Sequence, residues 1–473
     1  MFSVVSNKWA ALAVLCLGTL MIVLDTTIVN VALPSIKTNL GFSEASLAWV
    51  VNAYILTFGG FLMLGGRLGD LFGHRRIFLI GLGVFTLASL ACGLSTTQWA
   101  LISARAVQGI GGAIVSAVSL SLMMTLFTEP AERAKAMGYF GFVAAGGGSV
   151  GVLLGGLLTG TLNWHAIFLV NIPIGIIVFI MSLYLLPKIH QRPEKIHLDV
   201  AGAITITLAL MLAVYAIVNG NEVGWTSLQT LGLLVVAVIL LATFLVIESR
   251  VRSPLIPLSL FKLHNLATAN VIGIFWAAAM FALFFLSALY LQVVLGYSPL
   301  AVGLAFLPAN LIMGFFSFSL SAKLVNRFGL KRPLSIGLSF AALGLFLLAR
   351  IPLQGNFLID ILPSMVLLGI GAGIAFNPML LAAMNDVEPH ESGIASGIVN
   401  TAFMMGGALG LAILASIAAA RTASVLASGA SPTASLASGY HVAFFVGALF
   451  ALLAAILSAT LLREKRVAQS HSY

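Results

Sequence analysis

The chain has 473 residues, 60% hydrophobic and 8% charged, with a mean hydropathy of +1.11. Soluble globular domains carry about 25% charged residues, so a water-soluble fold is excluded. The formal net charge of +9 does not point to nucleic acid, because the basic residues are strung along short connections between apolar stretches.

Segments of about 18 or more mostly apolar residues recur along the chain, each bounded by Gly, Pro or charge clusters, and each predicts a membrane helix. Fourteen are expected, near 9–33, 47–66, 76–95, 99–126, 134–160, 165–187, 198–219, 227–248, 266–294, 300–323, 333–351, 357–384, 392–420 and 440–463. The first is too long for a signal-peptide core and lacks a small-residue cleavage site, so it is kept as a helix. If both termini are cytoplasmic, the 23 Lys and Arg lie inside except for Lys37, Arg350 and Arg421 outside and Arg105 within a segment. That asymmetry is the positive-inside rule. The expectation is an all-α, multi-pass protein of the cytoplasmic membrane with 14 transmembrane helices.

The first segment contains Asp25, its only ionisable residue between Trp9 and Leu33. A carboxylate in hydrocarbon costs several kcal/mol unless paired, hydrated or protonated, so Asp25 is a candidate proton or cation site. A structural acid satisfied by neighbouring helices is the alternative. Counting from an end at Leu33 places it roughly 12 Å below the outer end. Arg105, the only base within a segment, lies roughly 9 Å in from the same side. Such an Arg either faces inward to an acid or carbonyls, or snorkels to the headgroups. Gln108, Gly109 and Gly112 follow it on the same helix face, as expected of a closely packed interior.

Gly147, Gly151, Gly155 and Gly156 place small residues along the fifth segment at helical spacing, for packing or as a hinge. Asn30, Asn52, Tyr54, Tyr290, Gln292, Asn310, Asn377 and Asn400 either line a hydrated cavity or join helices by hydrogen bonds. Phe403, Met404 and Met405, with Phe376, Met379 and Met384, form a soft apolar wall for varied ligands or simply core. Cys16 and Cys92 read as small buried apolar residues. His74, His165, His190, His197 and His390 show no metal-ligand spacing, and no nucleophile with a base or phosphate-binding glycine loop is visible. Neither enzyme chemistry, nor a metal, nor a cofactor is expected.

The connection Gly66-Arg-Leu-Gly-Asp70-Leu-Phe-Gly73-His-Arg75-Arg76 returns as Ala322-Lys-Leu-Val-Asn326-Arg-Phe-Gly329-Leu-Lys331-Arg332. Leu68, Phe72, Gly73, Arg75 and Arg76 keep register with Leu324, Phe328, Gly329, Lys331 and Arg332. A repeated inside loop implies duplicated parallel halves, as in secondary transporters. Residues 1–187 and 266–473 are therefore expected as six-helix bundles, with 188–265 a linker carrying two inserted helices.

Five stretches together resemble the major facilitator superfamily, in particular its fourteen-helix drug:proton antiporters. They are Leu24–Pro34, Gly66–Arg76, Arg105–Gly112, Asn163–Pro173 and Tyr290–Pro299 with Gly303 and Pro308. The resemblance implies two bundles rocking about a central cavity, and an inside latch in which Asp70 and Arg75 or Arg76 exchange partners. It also implies proton coupling through Asp25 and Arg105. Leu71, Asn326, Val152, Phe403 and Met404 depart from the family pattern. They weaken the latch and the antiporter signature and make the thirteenth helix more apolar. No second carboxylate lies deep in a segment, and Asp360 falls near an outer end.

The expected function is proton-driven efflux of amphiphilic organic compounds, with substrate, protons and lipid as partners and no obligate protein or nucleic acid. A uniporter or proton symporter for a metabolite, or a non-transporting scaffold or sensor, remains the alternative.

Overall fold

The structure, a computed structural model, describes residues 8–187, 199–251, 254–388 and 391–463. Residues 188–198, with His190, His197 and the expected boundary at 188, lie outside the described residues, as does His390. The described residues form helices joined by short turns, with no strand among them. In order these are α1 Lys8–Leu40, α2 Trp49–Phe72, α3 His74–Gly93, α4 Gln98–Leu126, α5 Pro130–Thr161, the short α6 Ala166–Leu169 and α7 Asn171–Leu185. Then come α8 Val200–Val223, α9 Leu228–Arg250, α10 His264–Leu289, α11 Pro299–Phe315 and α12 Ser321–Phe328. Last are α13 Lys331–Leu348, α14 Leu362–Met384, α15 Ser392–Ala427 and α16 Pro432–Leu461. Among the described residues, 12 helical runs are long and apolar enough to cross a membrane.

The elements follow the expected segments, with two changes at their ends. α1 runs on through Pro34 to Leu40. A proline removes one helical hydrogen bond, but Val31, Ala32, Leu33 and Ile36 around it are fully buried, so packing carries the helix past it. Asp25 therefore sits near the middle of a 33-residue helix, rather than close to its outer end. α16 starts earlier than expected because Ser431 caps it, accepting from the Ala434 N–H at 3.3 Å, with Pro432 in the first turn. Proline there costs nothing, since that N–H has no helical partner.

Two bundles recur. In the first, a Cβ placed on Gly111 of α4 would stand 2.6 Å from the Phe85 N and 2.9 Å from the Gly81 O of α3. In the second, a Cβ on Gly371 of α14 would stand 2.6 Å from both the Ala341 N and the Gly337 O of α13. Gly81 and Phe85 are offset from Gly337 and Ala341 by the same number of residues that separates Gly73 from Gly329. Both of those turn glycines have positive φ, 90° and 78°. The repeat legible in one loop thus extends to a backbone-to-backbone helix crossing.

α8 packs on both α2 and α15, the helices that also form the seam between the bundles. α9 touches mainly α8, and only 17% of its apolar window is buried, against 67% for α1. The inserted pair is thus a peripheral strut across the seam.

These crossings predict that Gly111→Ala and Gly371→Ala each lower the thermal midpoint of the purified protein, by overpacking worth about 1–3 kcal/mol. Gly83→Ala, where nothing lies within 4 Å, should leave it unchanged. Equal midpoints for all three would contradict the crossing geometry.

Candidate functional site

The close approach of α2 and α4 builds the site. A Cβ on Gly109 would stand 2.4 Å from the Tyr54 carbonyl oxygen, and one on Gly112 would stand 2.8 Å from the Tyr54 hydroxyl. Only glycine permits this spacing. It places the Arg105 guanidinium 4.3 Å from the centre of the Tyr54 ring and 5.6 Å from that of Phe168. Arg105 Nη1 donates to Asp25 Oδ2 at 2.5 Å and to Gln108 Oε1 at 2.6 Å, and Nε donates to the Val50 carbonyl at 3.0 Å. Asp25 Oδ1 accepts from Gln108 Nε2 at 2.7 Å and from Asn171 Nδ2 at 2.9 Å. Gln108 also donates to Ser89 Oγ at 2.8 Å, and the Cys92 thiol reaches Gln108 Oε1 at 3.6 Å.

Asp25 is 0% and Arg105 1% exposed. Arg105 does not snorkel, and the two residues meet directly. Two opposite charges removed from water are tolerable only when paired and fully hydrogen-bonded. Five helices supply those bonds: α1, α2, α3, α4 and α7. The network is a closed circuit inside the first bundle.

The other expected site residues are not gathered with it. Asn52 is fully buried on α2, and neither side-chain polar atom has a partner among the described residues. Asn30 donates weakly to its own helix at Thr26 O, 3.4 Å, and exposed Asn400 to Ser396 O at 3.0 Å. Asn377 joins α14 to the π turn 316–320 through Ser317 O at 2.8 Å. Met404 packs over Gly59 at the seam. Of the two readings open for these residues, Asn377 makes the bond between helical elements, and helix periodicity does not say which polar faces converge.

Gln292 and Tyr290 belong to a closure at the end of the molecule opposite Lys8. Gln292 Nε2 of the second bundle donates to Val31 O of α1 at 2.8 Å, and Tyr440 donates to Glu44 Oε2 at 3.0 Å. Glu44 also pairs with Lys37. Tyr290 donates to Ile351 O at 2.8 Å beside His441. At the same end a Cβ on Gly156 would stand 2.7 Å from Pro299 O, and one on Gly303 3.0 Å from Val152 O. On the other side of α5, Cβ atoms on Gly147, Gly151 and Gly155 would meet α1 at Val23, Thr27 and Ile28. The α5 glycines are packing positions between α1 and α11, in a helix that continues unbroken.

The 66–76 loop makes its bonds within the first bundle. His74 Nε2 lies 3.2 Å from Asp70 Oδ1 without hydrogen-bonding geometry, and Arg75 donates to Leu183 O. Gly73 supplies the positive-φ turn, and Gly66 leaves room beside Ala117. Among the described residues, neither Asp70 nor Arg75 pairs across to the other bundle, and no ion pair involves Arg76. The expected exchange of partners across the seam is not present in this conformation.

A narrow cavity of about 30 Å³ lies in the second bundle. Trp276, Met280, Phe284, Phe306, Met313 and Asn310 give it an aromatic, thioether and single-amide lining. Trp276 abuts Phe376 and Phe403 at 5.9 and 5.8 Å. None of Phe376, Met379, Met384, Phe403, Met404 and Met405 lines the cavity, and Met405 clusters with Ile206 of α8 and Phe244 of α9. Asp25 and Arg105 do not line this cavity.

Sequence reading missed Ser89 and Asn171. Asn171 stood inside a stretch already singled out, Asn163–Pro173, whereas a lone Ser on α3 carries no signal. No group of three or more metal-binding side chains occurs among the described residues.

A family profile described as Major Facilitator Superfamily matches residues 15–411. The puromycin resistance protein pur8 of Streptomyces alboniger is 39% identical over 470 residues, 97% of this chain and 92% of that protein. The cephamycin export protein CmcT of Amycolatopsis lactamdurans is 37% identical over 458 residues, 96% and 93% of the two chains. The solved structure of the POT family transporter PepTSo, 18% identical, matches with a TM-score of 0.71 over 95% of this chain and 97% of that one. That likeness concerns the fold.

The circuit predicts strong non-additivity. Asp25→Asn or Arg105→Gln alone leaves a buried charge unpaired and should destabilise by about 3–5 kcal/mol. The double variant should lose less than the sum in thermal unfolding, and additive losses would contradict the pairing.

Proposed function

The chain belongs to the Major Facilitator Superfamily, and on that premise we propose that it exports amphiphilic organic compounds in exchange for protons. It is a multi-pass protein of the cell membrane and a transporter rather than an enzyme. The membrane crossings in this reading number fourteen. They are the 12 apolar spans, α5, and the run from α11 through α12. Residues 1–187 and 266–473 are the moving bundles, 188–265 the linker, and both termini are cytoplasmic. The distribution of Lys and Arg supports that orientation.

The observation that carries the reading is the separation of the two sites. The buried Asp25–Arg105 pair has the chemistry to hold or release a proton. The apolar cavity, which must widen to admit a small organic molecule, has the chemistry to hold an amphiphile by its rings, with Asn310 meeting one polar group. Relatives named for puromycin resistance and cephamycin export support outward transport of such compounds. In this reading Asp25 does not touch substrate. Asp25 is ionised and paired while the end opposite Lys8 is closed. Opening of that end admits a proton, the bridge to Arg105 is lost, and substrate leaves outward. The proton then departs inward. Only differential binding to the two orientations drives such a cycle. The 66–76 loop, with Asp70 beside His74, acts as a weak inner latch.

In proteoliposomes with an imposed pH gradient, Asp25→Asn and the Asp25→Asn/Arg105→Gln double variant should lose coupled export. Asn310→Ala and Phe284→Ala should instead weaken substrate binding, by about tenfold for each ~1.4 kcal/mol lost. Coupled export by either Asp25 variant would sink the proton role.

A further inference from the structure

Two more carboxyl groups are buried by packing rather than by depth in a segment. Asp199 precedes α8 and Glu248 ends α9, and they are 4% and 3% exposed. Each spends one oxygen on a backbone N–H: Asp199 Oδ1 accepts from Gly202 at 2.7 Å, and Glu248 Oε2 from Ile256 at 3.0 Å. The remaining oxygens, Asp199 Oδ2 and Glu248 Oε1, have no partner among the described residues. Both point at the same place. They lie 2.5 and 2.9 Å from where a Cβ on Gly202 would stand. The two free oxygens therefore lie no more than about 5.4 Å apart, the sum of those two distances.

Among the described residues, the packed elements bring no neutralising charge. Arg67 on α2 and Arg250 on α9 make no ion pair with either acid among the described residues. α15 carries no charged side chain except Arg421 near its far end. Asp199 is the titratable group acting on Glu248. Two ionised carboxylates cannot share such a site, because each is desolvated and repels the other. One proton between them satisfies both free oxygens at once.

We propose that Asp199 and Glu248 bind one shared proton and form a second acid site, separate from Asp25, that pins the segment after α9 across the seam. Glu248 holds the Ile256 N–H. Ile256 packs against Leu64 of α2 and Ala203 on one side, and against Ile206, Phe244 and Met405 of α15 on the other. The protonated pair therefore adds, through Ile256, to the direct packing of α8 on α2 and α15. Loss of the proton places two like charges under that contact and loosens it.

Infrared spectroscopy of the full-length purified protein tests this directly, since a protonated carboxyl has a C=O band that a carboxylate lacks. At pH 7 one such band should disappear in Asp199→Asn and equally in Glu248→Gln, and persist in Asp25→Asn. That last variant keeps this proposal distinct from the coupling role of Asp25. Amide exchange of residues 254–262, corrected for intrinsic rate, should quicken as pH rises in the parent and stay level in Glu248→Gln, whose amide keeps the bond to Asp199. Unchanged carboxyl bands in both variants, or the same pH response in Glu248→Gln as in the parent, would overturn it.

Discussion

The contact between Asp25 and Arg105 is the constraint around which the first bundle is organised. Neither charge reaches water, so every donor and acceptor they carry must find protein. That requirement accounts for Gly109 and Gly112 of α4, which admit Tyr54. It also accounts for Gln108 and Asn171, which occupy the second carboxylate oxygen, and for Ser89, which accepts from Gln108. Replacing any one of these leaves a buried polar atom unsatisfied, at a cost of about 1–3 kcal/mol. The pair is thus held in one geometry by its surroundings and is responsive to any event that changes its charge.

A physical route leads from this pair to the closed end of the molecule. α1 carries Asp25, and the turns above it pack on Gly151 and Gly155 of α5. The opposite side of α5, at Val152 and Gly156, meets α11 at Gly303 and Pro299 with almost no side chain between the backbones. α1 also offers Val31 O to Gln292 directly. Small residues at both contacts mean that a sub-ångström shift of α1 is passed on rather than absorbed by side-chain rearrangement. Such intermediacy becomes coupling only if both ends bias the same two states.

Much of the architecture was legible because membrane helices advertise themselves by length and hydropathy, and because a duplicated loop kept its register. The pairing of Asp25 with Arg105 was half legible: both are costly in lipid, and their depths were compatible. What stayed hidden was convergence. Asn400 and Asn377 are as polar as Gln108, but their helix faces turn elsewhere. The Asp199–Glu248 pair escaped notice for the opposite reason. Both residues sit at segment ends, where charges are ordinarily solvated, and only the fold of residues 254–257 over them reveals their burial.

The central claim is that the charge on Asp25 holds the end opposite Lys8 closed. Spin labels at Leu162 and Leu353, both exposed at that end on opposite bundles, would report the separation by pulsed electron resonance. At one fixed alkaline pH, the account predicts a short-distance population in the parent and a shift towards longer distances in Asp25→Asn. Identical distance distributions in the two proteins would contradict it.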